Sequence, residues 1–290
     1  MRTVKKTPAL LMTAALSFAL RPCAAAAAQA GRRIAGLRKS CSAGDGAACN
    51  RLGLAYEEGR GAAKNAARAS EYYRLGCEAG SAMACYNRAV DLLEGKVVSR
   101  DAEKAAELFG RSCDLGDQAG CFRLGSMYHD GEGVPKDAEK AAESYEKACE
   151  RKDSRACFSL GTLFQDEDPA KAFESYGRAC AMDDGRGCFN VGSMYHVGKG
   201  VEKDESKSVD FLKKACGMGN GKGCYLLGNA DMPAVETAAF LGKACELGES
   251  RGCYNLGIRY QDGKGVSRDA AKAAALFRKA CAMGMKEACN

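Results

Sequence analysis

The chain has 290 residues, with 43 basic and 37 acidic side chains and a formal net charge of +6 at pH 7. Four of the basic residues and none of the acidic residues lie in the first 30 positions, so residues 31–290 carry 39 basic and 37 acidic side chains. A balance of +2 over these 260 residues provides no electrostatic surplus for nucleic acid, and this class of partner is not predicted.

Residues 1–30 have the pattern of a secretory signal peptide. A basic head at residues 2–6 precedes a mostly apolar stretch at residues 8–20, and the segment ends in a small-x-small cleavage site, Ala-Gln-Ala. We therefore predict cleavage after Ala30 and a mature domain of residues 31–290 that is secreted or periplasmic. The apolar stretch is too short to span a bilayer and no later stretch is apolar enough, so stable membrane insertion is not predicted.

Cys23 lies inside this segment, which leaves sixteen cysteines in the predicted mature chain. An alternative interpretation makes Cys23 a lipid-anchored N-terminus. Arg21 and Pro22 precede it, however, where lipoprotein processing requires small residues. An even number of cysteines in an oxidising compartment predicts that all of them form disulfides.

These sixteen cysteines form eight pairs with seven residues between partners, and successive pairs begin 36, 36, 36, 31, 36, 29 and 36 residues apart. Such a period is typical of a stacked supersecondary unit. A disulfide within each pair requires a turn, because residues eight apart in one helix are separated by about 12 Å. The predicted pairs are Cys41/Cys49, Cys77/Cys85, Cys113/Cys121, Cys149/Cys157, Cys180/Cys188, Cys216/Cys224, Cys245/Cys253 and Cys281/Cys289.

Residues 119–149 show the predicted elements of one repeat in chain order. A first helix places Cys121, Leu124 and Tyr128 on one face, at three- and four-residue intervals. A glycine-rich loop follows, and Asp137 begins the second helix as its N-cap. The same capping position carries Asn65, Asp101, Asp204 and Asp269 in other repeats.

Glycines mark the turns and the contacts of the predicted helices. A glycine three residues after the first cysteine of most pairs predicts a left-handed residue that ends the second helix, with Lys152 and Asp183 as exceptions. A glycine four residues after most second cysteines predicts close approach of two helices. The two short periods, of 31 and 29 residues, lack the Gly-x-Gly loop. The missing residues therefore belong to the connection between the two helices of a repeat, at residues 165–169 and 229–233.

Three motifs in residues 121–149, Cys-Phe-x-Leu-Gly-x-Met-Tyr, Gly-x-Gly-Val-x-Lys-Asp and Lys-Ala-Ala-x-x-Tyr-x-Lys-Ala-Cys, resemble the Sel1-like repeat, a relative of the tetratricopeptide repeat. The cysteine pairs resemble the secreted, cysteine-rich branch of the Helicobacter cysteine-rich proteins. The resemblance covers residues 31–290. It implies an all-α fold, a right-handed α/α solenoid superhelix of about seven helix-loop-helix repeats, with a concave surface that serves adaptor or ligand-binding roles.

Members of that branch are often labelled penicillin-binding proteins or β-lactamases, which suggests a weak enzymatic activity as an alternative. Ser144 and Lys147 match the serine-x-x-lysine pattern of those enzymes, but the mature chain contains neither a Ser-Asp-Asn nor a Lys-Thr-Gly companion. Both residues occupy regular positions of a predicted second helix. We therefore expect no catalytic residue, with Ser144 and Lys147 as the candidates if the chain is an enzyme.

No cofactor and no metal are predicted. The two histidines, His129 and His196, occupy equivalent positions two repeats apart, and the cysteine spacing does not fit a zinc site. The Gly-x-Gly loops have no third glycine and no preceding strand, so they are interpreted as turns and not as phosphate-binding loops.

The candidate ligand-binding positions lie two residues after the second cysteine of a pair, on the first helices. Asparagine offers both a donor and an acceptor to a peptide backbone, and arginine can bind a carboxylate with two hydrogen bonds. The alternative interpretation is that these polar residues are ordinary solvent-exposed positions that bind no ligand. The predicted partner is a protein, a peptide or a cell-wall (peptidoglycan) fragment, and the predicted binding residues are Arg51, Asn87, Arg123, Asn190 and Asn255.

Overall fold

The computed structural model describes the backbone of residues 16–289 and the side chains of residues 29–289. The described chain forms fifteen α-helices, a C-terminal 3₁₀ turn and no β-strand. The helices are α1 (Leu16–Ser42), α2 (Gly46–Glu58), α3 (Ala66–Glu78), α4 (Ala82–Glu94), α5 (Ala102–Asp114), α6 (Gln118–Asp130), α7 (Ala138–Glu150), α8 (Ser154–Phe164), α9 (Pro169–Ala181), α10 (Gly185–Val197), α11 (Glu205–Gly217), α12 (Gly221–Gly228), α13 (Ala234–Glu246), α14 (Ser250–Asp262) and α15 (Ala270–Ala282), and the turn is Lys286–Ala288.

Even-numbered helices are the first helices of the repeats, and odd-numbered helices from α3 onward are the second helices. The side chain of Asp137 accepts a hydrogen bond of 3.0 Å from the Lys140 backbone N–H at the start of α7. The other predicted N-caps make the equivalent bond, namely Asn65, Asp101, Asp204 and Asp269. The turn after each second helix is left-handed even without glycine, since Lys152 has φ 67° and Asp183 has φ 61°.

All sixteen predicted cysteines are disulfide-bonded. Seven disulfides connect cysteines eight residues apart, with Cα–Cα distances of 4.4–4.9 Å. They are Cys41–Cys49, Cys77–Cys85, Cys149–Cys157, Cys180–Cys188, Cys216–Cys224, Cys245–Cys253 and Cys281–Cys289. Each of these seven disulfides thus links the end of one repeat to the beginning of the next. Cys113 and Cys121 are each disulfide-bonded as well. The predicted all-α solenoid of helix-loop-helix repeats is confirmed.

The two helices of a repeat pack closely because a glycine lies at their contact. A Cβ atom at Gly161 in α8 would lie 2.6 Å from Cδ1 of Tyr176 in α9, which is far shorter than a van der Waals contact. Tyr176 is 1% exposed and needs this space. The same close approach occurs at the other predicted glycines, namely Gly53, Gly125, Gly192, Gly228 and Gly257.

The described chain divides into two compact units. The first contains the residues up to 120 together with 131–135, and the second contains 121–130 together with the residues from 136 onward. In the first unit a buried cluster is formed by Ile34, Leu52, Ala55, Tyr56, Ala69 and Tyr73. In the second unit Ala172, Tyr176, Val191 and Met194 form one buried cluster, and a further cluster includes Leu212 and Leu227.

The loops between the helices of full-length repeats also have a structural role. The second glycine of each Gly-x-Gly loop packs against the first residue of the preceding second helix, as Gly133 does against Ala102 and Gly200 does against Pro169. Gly61 packs in the same way against Ala30, which lies within α1. The predicted domain boundary after Ala30 therefore falls inside one continuous helix, and cleavage there stays a prediction.

Candidate binding site on the first helices

The five predicted binding residues occupy equivalent positions on five separate first helices. Arg51 and Arg123 are exposed, while Asn87, Asn190 and Asn255 are half-buried. Arg51 also lines a cavity of about 410 Å³ between α1 and α2. The position is therefore accessible in each of these repeats, but its surroundings differ from one repeat to the next.

Two of the asparagines use part of their hydrogen-bonding capacity to join neighbouring repeats. Nδ2 of Asn87 donates to Oδ1 of Asn50 at 2.9 Å, and Asn50 is only 4% exposed. Nδ2 of Asn255 donates to Oδ1 of Asn229 at 2.8 Å. These amides contribute to the packing of repeats, a role that the sequence did not indicate, and they offer fewer groups to a ligand.

Asn190 differs from the other two asparagines because its amide makes no hydrogen bond to any described residue. It lies in α10 between two depressions of the surface, with volumes of about 420 Å³ and 170 Å³, and lines both of them. Asn190 is thus the one of the three predicted asparagines whose whole amide remains available, and it lies beside two cavities.

Ser193, one turn after Asn190, adds a second available polar group to the smaller depression. Its hydroxyl oxygen is buried and has no hydrogen-bond partner among the described residues. At the equivalent position in other first helices, Ser126 and Thr162 donate to the backbone carbonyl four residues earlier, each at 3.1 Å. Sequence reasoning missed Ser193; a polar side chain three residues after Asn190 was the available signal.

The remaining wall of the smaller depression is partly polar and partly apolar. The hydroxyl of Tyr176 donates to Oε1 of Gln165 at 2.9 Å, and burial raises the pKa of Tyr176, which keeps the phenol protonated. Lys199 forms an ion pair of 2.9 Å with Asp166. Met194 and the 70% exposed Val197 supply apolar surface. This cavity can therefore offer hydrogen bonds and an apolar contact together.

The larger depression is lined by Arg186, whose guanidinium already contacts two other side chains of the protein. Arg186 donates to both carboxylate oxygens of Asp184, at 3.0 Å and 2.6 Å, and its guanidinium carbon lies 4.4 Å from the centre of the Phe158 ring. Burial acts to raise the pKa of Asp184, but the hydrogen bonds from Arg186 outweigh it and lower the pKa. Phe158 also packs on Tyr176, with ring centres 5.6 Å apart.

The two candidate catalytic residues lie in α7. Ser144 is 6% exposed, and its hydroxyl donates to the backbone carbonyl of Lys140 at 2.8 Å. Lys147 forms an ion pair of 2.8 Å with Glu143. A serine nucleophile needs an adjacent base and an exposed oxygen, and this hydroxyl is instead used within its own helix. The enzymatic alternative therefore gains no support from the environment of Ser144.

The histidines are paired with carboxylates and do not converge with other potential ligands. Nδ1 of His129 lies 2.8 Å from Asp130, and Nδ1 of His196 lies 2.7 Å from Glu205. Among residues 29–289, no group of three or more histidine, cysteine or acidic side chains is arranged to hold a metal ion.

The sequence matches the Sel1 repeat six times, at residues 46–81, 82–117, 118–153, 154–184, 185–220 and 250–285. The unmatched residues 221–249 contain the shortest period, and they still form α12 and α13 with their cysteines bonded. No curated protein matches the chain.

Within the part of the chain that the structure describes, no helix is both long enough and apolar enough to cross a membrane.

Three solved structures illustrate the similarity. A Sel1 repeat protein from Oxalobacter formigenes is 24% identical, with a TM-score of 0.73 over 99% of this chain and 95% of that one. The Escherichia coli protein c5321, a protective antigen with an SLR fold, is 26% identical with a TM-score of 0.78, and the alignment covers 87% of this chain but only 57% of that one. Helicobacter pylori cysteine-rich protein B is 30% identical over 53% of this chain and 93% of that protein, with a TM-score of 0.23.

The six matched repeats cover most of residues 46–285, and they coincide with the helix pairs and the disulfides of the structure. The chain belongs to the Sel1 repeat family.

Proposed function

We propose that this disulfide-bonded Sel1 repeat scaffold is secreted or periplasmic and binds a protein, a peptide or a cell-wall-derived fragment with its first helices. Sel1 repeat proteins typically mediate protein interactions. The resemblance implies that the first helices line a concave surface, and the predicted polar positions all belong to them. The sixteen bonded cysteines favour an oxidising, extracytoplasmic compartment.

The observation that carries this proposal is the pair Asn190 and Ser193. Both side chains line the same depression, and neither makes a hydrogen bond to a described residue. A buried hydroxyl without a partner costs roughly 1–3 kcal/mol, and a ligand that bonds to it would offset this cost. An extended peptide or a peptidoglycan stem presents alternating N–H and C=O groups, which an amide and a hydroxyl can match.

Affinity capture from a cell-envelope extract tests the proposal. The oxidised chain is immobilised, and the bound proteins and muropeptides are compared with those held by Asn190→Ala and Ser193→Ala. We expect each variant to lose most of the captured material, since both polar groups would contact the ligand. Asp210→Ala is the matched control, because Asp210 is exposed on α11 and lines neither depression.

Thermal unfolding of the same variants separates binding from stability. Asn190→Ala should unfold at the wild-type temperature, because its amide makes no bond that the change could remove. If all three variants capture the same material as the wild-type chain, this surface is not the binding site.

A further inference from the structure

A groove of about 830 Å³ lies between the second helices α7 and α9 in the second unit. We call it the acidic groove. Its floor is the C-terminal half of α8, with Leu160, Leu163 and Phe164, and its walls are the facing sides of α7 and α9. It shares no lining residue with the two depressions beside Asn190.

The groove is open because this repeat lacks the Gly-x-Gly loop. Where a repeat has this loop, the second glycine covers the first residue of the preceding second helix, as Gly133 covers Ala102 and Gly200 covers Pro169. Only Gln165, Asp166, Glu167 and Asp168 connect α8 to α9. No glycine loop therefore reaches Ala138, the first residue of α7, and Ala138 lines the groove instead.

The wall formed by α7 is acidic along its whole length. Four glutamates lie on it at three- and four-residue intervals, Glu139, Glu143, Glu146 and Glu150. No other second helix has an acidic residue at all four equivalent positions; α11, which precedes the other short repeat, has Ser206, Asp210, Lys213 and Gly217 there. The acidic wall thus belongs to this repeat and not to the repeat pattern.

Internal ion pairs neutralise only part of this charge. Glu143 pairs with Lys147 at 2.8 Å, and Glu146 pairs with Arg178 across the groove at 2.5 Å. The groove has four further carboxylates that form no ion pair with any described residue, Glu139, Glu150, Glu167 and Glu174. A cation entering the groove would therefore find carboxylates without partners beside an apolar floor.

Lys171 already makes a cation–π contact with the floor of the groove. Its ammonium lies 4.0 Å from the centre of the Phe164 ring, within the distance of a cation–π interaction. Phe164 and Leu163 are half-buried, so they offer apolar surface as well.

We propose that the acidic groove binds a short cationic protein segment, one that carries lysine or arginine side chains and at least one large apolar side chain. The basic side chains pair with the free glutamates, and the apolar side chain contacts Leu163 and Phe164. The thirteen residues of α7 span about 20 Å. An extended segment of about six residues has the same length.

Fluorescence anisotropy with a labelled octapeptide of alternating leucine and lysine tests this site in the full oxidised chain. We expect the triple variant Glu139→Gln, Glu150→Gln, Glu174→Gln to bind the peptide about tenfold more weakly, because three exposed charge pairs are lost. Binding should also weaken as salt is added. The control variant Glu103→Gln, Glu107→Gln, Glu246→Gln removes the same charge from exposed positions outside the groove and should bind like the wild-type chain.

A loop insertion tests the shape of the site separately from its charge. Inserting Gly-Lys-Gly-Val-Glu, the sequence of residues 198–202, between Asp166 and Glu167 restores a full-length repeat and should abolish binding. Asp210→Ala should leave peptide binding unchanged, because Asp210 is exposed on α11 and does not line the groove. Equal binding by the groove triple and the control triple, or equal binding of a leucine–glutamate peptide, would overturn the proposal even if the insertion fails to fold.

Discussion

At the scale of single residues, two glycines of one repeat differ in what a side chain would meet. Gly161 in α8 faces the ring of Tyr176, and a Cβ atom there would lie 2.6 Å from the ring. Gly177 in α9 has no neighbouring atom within 4 Å of its Cβ position. The first glycine is required by packing, and the second costs helix stability without a packing reason.

Alanine substitutions should therefore have opposite effects at these two positions. Gly161→Ala should lower the free energy of unfolding by about 1–3 kcal/mol, because Tyr176 must move out of its buried site. Gly177→Ala should raise it by up to about 1 kcal/mol through helix propensity. Chemical denaturation of the two variants measures both effects. Equal effects of the two substitutions would show that packing against Tyr176 does not select glycine at position 161.

The residues of the candidate binding site could be predicted only in part. The spacing after each second cysteine identified Asn190 as a polar position on a first helix, because the repeat period places equivalent residues on equivalent faces. The hydrogen bonds of Asn87 and Asn255 to neighbouring repeats could not be predicted, since their partners lie 37 and 26 residues away. The unpartnered hydroxyl of Ser193 depends on side-chain rotation, which no spacing determines.

At the scale of elements, an aspartate begins most of the second helices and binds the backbone of the first turn. The backbone hydrogen bond from Lys140 lowers the pKa of Asp137 against the opposing effect of burial, and the Lys140 side chain lowers it further. Asp204 and Asp269 have lowered pKa values for the same principal reason. Their spacing before the helices made these caps predictable from the sequence.

Removing one cap should destabilise the protein in a pH-dependent way. A lowered pKa stabilises the fold above the ordinary aspartate value of 3.8, and this contribution is lost as the pH falls through the folded-state value. At neutral pH we expect Asp137→Ala to lower Tm by about 2–4 °C, and Asp137→Asn to lower it less because an oxygen acceptor remains.

Thermal scans from pH 7 to pH 2 check this expectation. The difference between wild type and Asp137→Asn should shrink below about pH 4, where the aspartate becomes protonated. A difference that stays constant over this range would show that the charge of Asp137 contributes nothing.

The acidic groove illustrates what the sequence could not indicate at this scale. The missing loop in residues 165–168 was visible as a short period. The groove that results from this deletion could not be predicted, because it depends on how α7, α8 and α9 pack and on which of their faces remain uncovered. The regular acidic stripe on α7 alone would have suggested only a solvated helix face.

At the scale of the whole molecule, a regular period and a disulfide at each repeat junction define the fold. Both were predictable, because a period of about 36 residues and a seven-residue gap leave few helical arrangements that bring the cysteines together. The division into two units was not predictable, since the repeats look alike across it. The helix that continues through the predicted cleavage site after Ala30 was also not anticipated.

The disulfides should contribute unequally to global stability. Removing the buried Cys180–Cys188 bond with a double alanine variant should lower the free energy of unfolding by about 2.5 kcal/mol, the loop-closure value for a short loop. The same change at Cys281–Cys289 should have a smaller effect, because Cys289 is exposed and follows a short 3₁₀ turn instead of lying in a packed α-helix. Denaturant unfolding compares the two. A larger loss of stability at Cys281–Cys289 than at Cys180–Cys188 would contradict this prediction.

Photo-crosslinking from position 190 tests whether the first helices form a binding surface. A benzoylphenylalanine replaces Asn190 in the chain produced by its own cells, and a second variant carries it at Asp210 on the exposed side of α11 as the control. We predict discrete adducts from position 190 that excess wild-type chain competes away, with none of the same adducts from position 210. No adduct from position 190, or the same adducts from both positions, would contradict a binding surface on the first helices.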